Sequence, residues 1–357
     1  MDSRTSRKTI PVLARLGTML ALLLWAALAT PPAHASAECE AMLSKKRISL
    51  VVPFKPGGGF DAYARMLAPV LEARTGARVV VTNLAGANGM AGVRAVATAG
   101  PGSLVLGLFE PRSLYERRQL DPSAPDPASV FVLGSLNTVP RLWVGKRGFD
   151  LRAARSRPLL AGATSAAVAS LLLPAESLGL ELKVIRGYPG SADRWLALAR
   201  GEIDVVDGSA DSLRTLLESS PEMAVVLALD DVPVEGHPGV PHLAGPGGLV
   251  DRLTSVAGFD PKERATRMAW AQLAVDLSVS TRAISVAASA PPALRACLDE
   301  TIAGVLASDA LKEAAGRARL DLKPTSGPAL REALARIEAG LARNQALVKR
   351  LGGEGAL

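Results

Sequence analysis

Residues 48–65 read ISLVVPFKPGGGFDAYAR. The apolar run Ile48, Leu50, Val51, Val52 stops at Pro53, and Pro56, Gly57, Gly58 and Gly59 follow before a helical pattern opens near Asp61. Strand, glycine loop and helix in this order aim unpaired backbone N–H groups at one point. A helix N-terminus carries about half a positive charge and free donors, so it attracts anions. Glycines let that backbone approach a ligand closely. A tight strand-to-helix turn without a ligand has the same sequence, and the loop alone leaves both readings open. The stretch is not a phosphate-binding G-x-x-x-x-G-K-[ST] loop, since Gly145-Lys146 is followed by Arg147, and it is not G-x-G-x-x-G.

Outward from this loop the pattern repeats. A helix is expected over 60–74, with Ala62, Met66, Leu67, Val70 and Leu71 on one side and Gly76 to end it. Residues 78–82 read as a strand, 83–89 as a second glycine loop, 90–98 as a helix and 104–108 as a third strand. Strand-loop-helix repeats are the unit of a parallel sheet. A linker at 121–127 and short strands at 130–133 and 142–144 follow. Next come a strand at 159–162, a helix at 164–173 and strands at 182–186, 203–206 and 224–229, with helices at 191–200 and 209–219 between them. After a loop at 230–248, helices are expected at 262–276, 292–307, 309–319 and 328–351, with a strand at 284–287. Alternation of this kind argues for an α/β protein.

The chain has 357 residues and a formal charge of +7. Its first 37 residues read as a secretory signal peptide. Arg4, Arg7, Lys8 and Arg15 precede the apolar run 20–29, and Ala35-Ser36-Ala37 fits a cleavage site, as does Ala33-His34-Ala35. The apolar run is shorter than the roughly 20 residues of a membrane span. Export to the periplasm is expected. Without residues 1–37 there remain 37 basic and 33 acidic residues, spread along the chain. That balance, with few aromatics, does not point to nucleic acid. The only cysteines are Cys39 and Cys297. In an oxidising compartment they can pair, and two free thiols are the other reading. Glu38 directly before Cys39 argues against a lipid-modified N-terminus.

Enzymatic signatures are sparse. His34 lies in the signal peptide, and His237 and His242 sit in a Pro/Gly loop without a cysteine or acidic cluster at metal spacing. No G-x-S-x-G or H-E-x-x-H occurs. The reading is a non-enzyme with no cofactor and no metal.

Four segments in order, PFKPGGGFDAYAR (53–65), NLAGANG (83–89), RGYPGSADRWLALARGEIDVVDG (186–208) and PPALRACLDETIAGVLASDALKEAAGRARLDLKPTSG (291–327), resemble the periplasmic substrate-binding proteins of tripartite tricarboxylate transporters, the Bug receptors. The resemblance runs from about residue 48 to the C-terminus and is weakest over 110–158 and 230–281. It implies a type II periplasmic-binding fold, two α/β lobes with a small carboxylate held in the cleft between them. It implies that Pro56, Gly57, Gly58, Gly59 and Phe60 hold one carboxylate through backbone amides and water. By position, Ala163, Thr164 and Ser165 would hold the other end, where the next helix begins. Asp61 either caps its helix or reaches the ligand through water. Asn83 lines the cleft or shapes its turn, and Tyr188 offers a ring for the wall. Asp207 binds a ligand hydroxyl or ammonium, or caps the following helix. Arg112, Arg141 and Arg186 are further candidates for a carboxylate. Three places depart from the family pattern: Phe60 stands where a small residue is common, Ala163-Thr164-Ser165 lacks a glycine-serine run, and 136–155 matches little.

The expected organisation is a signal peptide at 1–37, a first part of lobe one at 38–148, lobe two at 149–250, and a return to lobe one at 251–357. The expected function is capture of a small organic acid and delivery to the membrane permease subunits of a tripartite transporter, as a monomer. A ligand-presenting partner of a membrane sensor kinase and an exported enzyme on the same fold are the alternatives. Phe60 and Tyr188 suggest an aromatic or apolar ligand body.

Overall fold

A computed structural model describes residues 37–151, 156–163, 167–188 and 191–354. The expected signal peptide at 1–37 lies outside them but for its last residue, as do Thr164 and Ser165. The chain divides into two compact units, Met1–Met42 and Leu43–Leu357. Of the first, only the start of helix α1 (Ala37–Leu43) is described. Both cysteines are disulfide-bonded.

The second unit contains two sheets. The first has the order β11-β4-β10-β3-β1-β2. Its strands are β1 (Arg47–Val52), β2 (Arg78–Asn83), β3 (Val105–Phe109), β4 (Val130–Val139), β10 (Ser280–Ala287) and β11 (Thr325–Ser326). β1 is parallel to β2 and β3, whereas β10 is antiparallel to β3 and β4. The other sheet has the order β7-β6-β8-β5-β9. It is built from β5 (Arg141–Lys146), β6 (Leu159–Gly162), β7 (Leu182–Ile185), β8 (Val205–Ser209) and β9 (Met223–Leu229). β6 is parallel to β7 and β8, and β5 is antiparallel to β8 and β9.

Helices α2 (Gly59–Thr75), α3 (Met90–Ala97) and α4 (Arg112–Leu120) belong to the first sheet's crossovers. α5 (Leu173–Leu178), α6 (Ser191–Arg200) and α7 (Ala210–Ser219) belong to the second. α8 (Leu249–Thr254) and α9 (Pro261–Ser278) lead back to β10. α10 (Pro292–Leu306), α11 (Asp309–Ala318), α12 (Gly327–Arg343) and α13 (Gln345–Glu354) complete the chain.

The chain therefore crosses between lobes twice. It leaves the first sheet at Val139 and enters the second at Arg141, with only Pro140 between. This crossing lies upstream of the boundary at 148/149 read from the sequence. It returns through α9 into β10. The fold is a bilobed α/β architecture of the type II periplasmic-binding class.

Local chemistry explains the elements that set up the cleft. In β1 the side chains of Ile48, Leu50, Val51 and Val52 are all buried, because a parallel strand is covered on both faces. α2 ends where Gly76 turns left-handed (φ 65°) and its N–H reaches the Glu72 carbonyl. Gly92 of α3 lies against Pro53, so closely that a Cβ there would stand 2.8 Å from the Pro53 Cα. That contact fixes the second crossover helix to the first loop.

Four sequence expectations need correction. β4 and β5 are much longer than 130–133 and 142–144. The polar stretch that hid this is buried and partnered in part within the protein: Ser135 Oγ donates to the Asn137 carbonyl (2.8 Å) and Asn137 Nδ2 to the Tyr63 hydroxyl (3.1 Å), while Asn137 Oδ1 has no partner among the described residues. α4 was not anticipated at all. Its sequence, RSLYERRQL, has little apolar periodicity, and it is held by Leu114 and by the buried Arg112. The helix placed at 164–173 instead runs to Leu178, opening with a π-turn at Val168–Leu172. Pro174 does not end it, because the Ser170 carbonyl that an N–H at 174 would bond accepts instead from Trp143 Nε1 (2.6 Å). The single helix over 328–351 is two, broken at Asn344, whose side chain donates to the Gly340 carbonyl (2.9 Å).

Candidate functional site

The first glycine loop is organised by one carboxylate. Asp61 stands in the first turn of α2, whose N-cap is Gly58. Its Oδ2 accepts from the Gly57 N–H (2.9 Å) and from Arg65 Nε (2.9 Å), and its Oδ1 accepts from Asn83 Nδ2 (3.0 Å). The reach back from the third helical residue to an N–H ahead of the helix follows capping-box logic. Asn83 also donates to the Phe54 carbonyl (3.1 Å), so the end of β2 is tied to the same loop. The Arg65 hydrogen bond, then the Gly57 N–H, lower the Asp61 carboxyl to about 2. Gly57 has φ +84°, a conformation that favours glycine. With Asp61 spent on Gly57, the N–H groups of Gly58, Gly59 and Phe60 remain, and by position they have no intrahelical acceptor. Pro56, Gly57, Gly58 and Gly59 are exposed.

Beside this loop lies a cavity of about 640 Å³ at the carboxyl ends of β1, β2 and β3. In open α/β sheets this is the edge where ligands bind. Its first wall is Pro53, Phe54 and Lys55, and its second is Ala85, Gly86, Ala87 and Gly89. Phe54 stands between the loops: its ring packs on the Phe60 ring (centroids 4.9 Å apart), and it would be 3.4 Å from a Cβ on Gly89. Met90, Val93 and Phe109 make the cavity floor apolar. Glu110, Ser113 and Arg117 close one end. These three also border a smaller cavity of about 120 Å³ that reaches Arg141, Ala169 and Ser170 of the second lobe.

The smaller cavity is strongly polar. Glu116 borders it, and burial pushes its carboxyl up, against the opposing pull of the Ala169 N–H, Arg117 and Arg141. Arg112 also borders it, with burial lowering the guanidinium to about 10. Its Nη1 donates to the Asp276 carbonyl (2.5 Å).

Several expected site residues are occupied within the protein. Asp207 neither caps the helix after it nor stands free for a ligand. Arg141 Nε (3.0 Å) and Nη2 (2.9 Å) hold its Oδ2, and Arg194 Nη1 (2.9 Å) holds its Oδ1. Burial alone would raise this carboxyl, but the two arginines outweigh it and keep the value below the ordinary range. The reason is packing: Asp207 is buried in β8, where an unpaired charge is costly, and the neighbouring strand and α6 each present a guanidinium. Arg141 is thereby committed to Asp207 as well as bordering the smaller cavity. Ala163 is buried, and its N–H bonds the Ile185 carbonyl (3.0 Å). Tyr188 packs on the second-lobe core near Gly162, where a Cβ would meet its ring at 3.2 Å. Arg186 is exposed. Among the described residues, no group of His, Cys, Asp and Glu could hold a metal ion.

The sequence reading missed Phe54, Phe109, Glu110, Arg117 and Arg282. Phe54 was legible, being part of the quoted loop. The others carry no local signal, because β3, α4 and β10 bring them to the cleft from distant parts of the chain.

Two α/β lobes joined by crossing strands, with a cavity at the strand ends and a helix N-terminus beside it, define a bilobed solute-binding protein. No family model matches the chain. The chain is 34% identical over 233 residues to a UPF0065 protein from the tcbD–tcbE intergenic region of Pseudomonas sp. strain P51, covering 60% of this chain and 68% of that one. It is 42% identical over 79 residues to the protein BugT of Bordetella pertussis, covering 22% of this chain and 24% of that one. Among solved structures, a TctC solute-binding protein from Polaromonas superposes with a TM-score of 0.62 at 20% identity, over 86% of this chain and 97% of that one. The periplasmic binding protein BugD gives 0.57 at 20% identity, over 86% and 98%. A Rhodopseudomonas palustris protein solved with adipate gives 0.60 at 20% identity, over 86% and 97%. The chain belongs to the UPF0065, or Bug, family of solute-binding receptors of tripartite tricarboxylate transporters.

Proposed function

We propose that this protein captures a small organic carboxylate in the periplasm and delivers it to the membrane permease subunits of a tripartite transporter. The observation that carries this reading is the arrangement at the head of α2. The N–H groups of Gly58, Gly59 and Phe60 remain for an anion after Asp61 has taken Gly57, and the residues just ahead of them in the chain, Pro53, Phe54 and Lys55, line a cavity of about 640 Å³. The adipate bound by the structural relative supports a carboxylate of that size. The apolar floor of Met90, Val93 and Phe109, with Phe54 on the wall, suits an acid with a hydrocarbon or aromatic body. Lobe closure on the ligand would present a distinct surface to the permease, through differential affinity for the closed state.

The test is a thermal-shift screen of the mature protein against aliphatic and aromatic acids. A ligand at about 100 times its Kd stabilises by roughly 2.7 kcal/mol and raises the melting temperature visibly. Shifts produced by acids and lost on Gly58→Leu are expected. Folded, ligand-stripped protein that responds to no acid would refute the reading.

A further inference from the structure

We infer that Arg282 anchors the ligand's carboxylate at the first glycine loop, and that Asp211 of the opposite lobe competes for the same guanidinium. This inference rests on the carboxylate reading above and adds a residue and a charge to it.

Arg282 lies near the start of β10, the strand that runs between β3 and β4. The pairing of β10 with β4 shifts register between Thr281 and Ala283, so Arg282 is the residue at the irregularity. Such bulges re-aim a side chain and recur beside binding sites. Here the side chain is carried to the head of α2. A Cβ on Gly59 would stand 3.6 Å from Arg282 Nη2. The guanidinium carbon lies 4.6 Å from the centre of the Tyr63 ring and 5.5 Å from that of Phe60. Both rings belong to the first turns of α2, and both favour a cation over their faces.

Stacking uses the faces of the guanidinium and leaves its in-plane donors to be satisfied. Arg282 is 6% exposed, and its Nε and Nη1 have no hydrogen-bond partner among the described residues. Only Nη2 is engaged, with Asp211 Oδ2 at 2.7 Å. A guanidinium has five N–H donors and no acceptor, and buried donors left unmade are costly. An acceptor with two oxygens in one plane fits this demand, which is the geometry of a carboxylate.

Two further facts converge on the same spot. The N–H groups of Gly58, Gly59 and Phe60 give the head of α2 a positive end without intrahelical acceptors. The nearest carboxylate on α2 itself, Asp61, is held by Gly57, Arg65 and Asn83 and does not neutralise Arg282. The counter-charge comes instead from Asp211 in the first turn of α7, across the cleft. A ligand carboxylate arriving at Arg282 meets that negative charge. Its removal should therefore strengthen acid binding, whereas removal of Arg282 should weaken it.

The experiment measures binding by titration calorimetry for wild type, Arg282→Gln, Arg282→Lys and Asp211→Asn. The probes are adipate, malate and benzoate, each against its amide. Wild type is expected to prefer an acid over its amide. Arg282→Gln should lower affinity for the acid by about tenfold or more and leave the amide unchanged. Arg282→Lys, which keeps the charge, should recover part of the loss. Asp211→Asn should raise acid affinity. An acid-to-amide ratio in Arg282→Gln equal to that of wild type would overturn the inference while the carboxylate reading stands. If Arg282→Gln does not fold, acid affinity in Asp211→Asn at or below the wild-type value would overturn it. Binding of no acid by wild type would overturn the carboxylate reading and this inference together.

Discussion

Replacing Asp61 by asparagine isolates what one carboxylate does for the first glycine loop. The side chain is 5% exposed and accepts from Gly57, Arg65 and Asn83. Asparagine is the same size but has one oxygen, and its amide would face donors on one side. The folded carboxyl lies at about 2 against an ordinary 3.8. At about 1.36 kcal/mol per pH unit, that displacement corresponds to roughly 2 kcal/mol. Arg65, the leading cause, is 57% exposed, so solvent screens part of it, leaving about 1–2 kcal/mol. Because the folded value lies below the unfolded one, this contribution is complete above about pH 4 and is lost as pH falls through about 2. Urea unfolding of wild type and Asp61→Asn at pH 6 and pH 3 reads it directly. Wild type should be more stable by about 1–2 kcal/mol at pH 6, with the gap falling to about half at pH 3. Equal stability at pH 6, or a gap that does not change with pH, would show that Asp61 is not the ionised anchor of the loop.

Three other outcomes are expected. Gly58→Leu should unfold at the wild-type urea midpoint, since Gly58 has φ −86° and a Cβ would meet only the Lys55 carbonyl at 3.9 Å, but it should lose acid binding in calorimetry. Gly92→Ala should cost about 1–3 kcal/mol in urea unfolding, because its Cβ would press on Pro53 at 2.8 Å and push α3 off the first loop. Asp207→Ala should cost about 3–5 kcal/mol by the same measurement, since it strands Arg141 and the buried Arg194.

The loop at residues 48–65 was readable because its determinants are local. The strand, the glycines and Asp61 all lie within residues 48–61, and the capping bond joins residues four apart. β2, α3, β3, β6 and β9 followed for the same reason, as apolar runs bounded by turn residues. Where burial came from distant partners, the reading failed. The polar half of β4 lies outside the strand expected at 130–133, because nothing nearby in the chain shows that Asn137 meets the Tyr63 hydroxyl. α4 was invisible because RSLYERRQL carries too few apolar residues to show a period, and Asp207 looked available because its two arginines come from another strand and another helix.

By itself, then, the sequence determined the α/β alternation, the glycine loop at a helix head and the family likeness, all encoded by short-range pattern and by turn chemistry. Tertiary structure alone decided which side chains share the cleft. Phe109 and Glu110 reach the cavity from β3 and its end, Arg117 from α4, and Arg282 meets Asp211 from elements 71 positions apart in the numbering. A cavity shared by the ends of three strands, and an ion pair between two lobes, depend on how sheets are ordered and where the chain crosses between them. That ordering is a property of long-range packing, to which no local period corresponds.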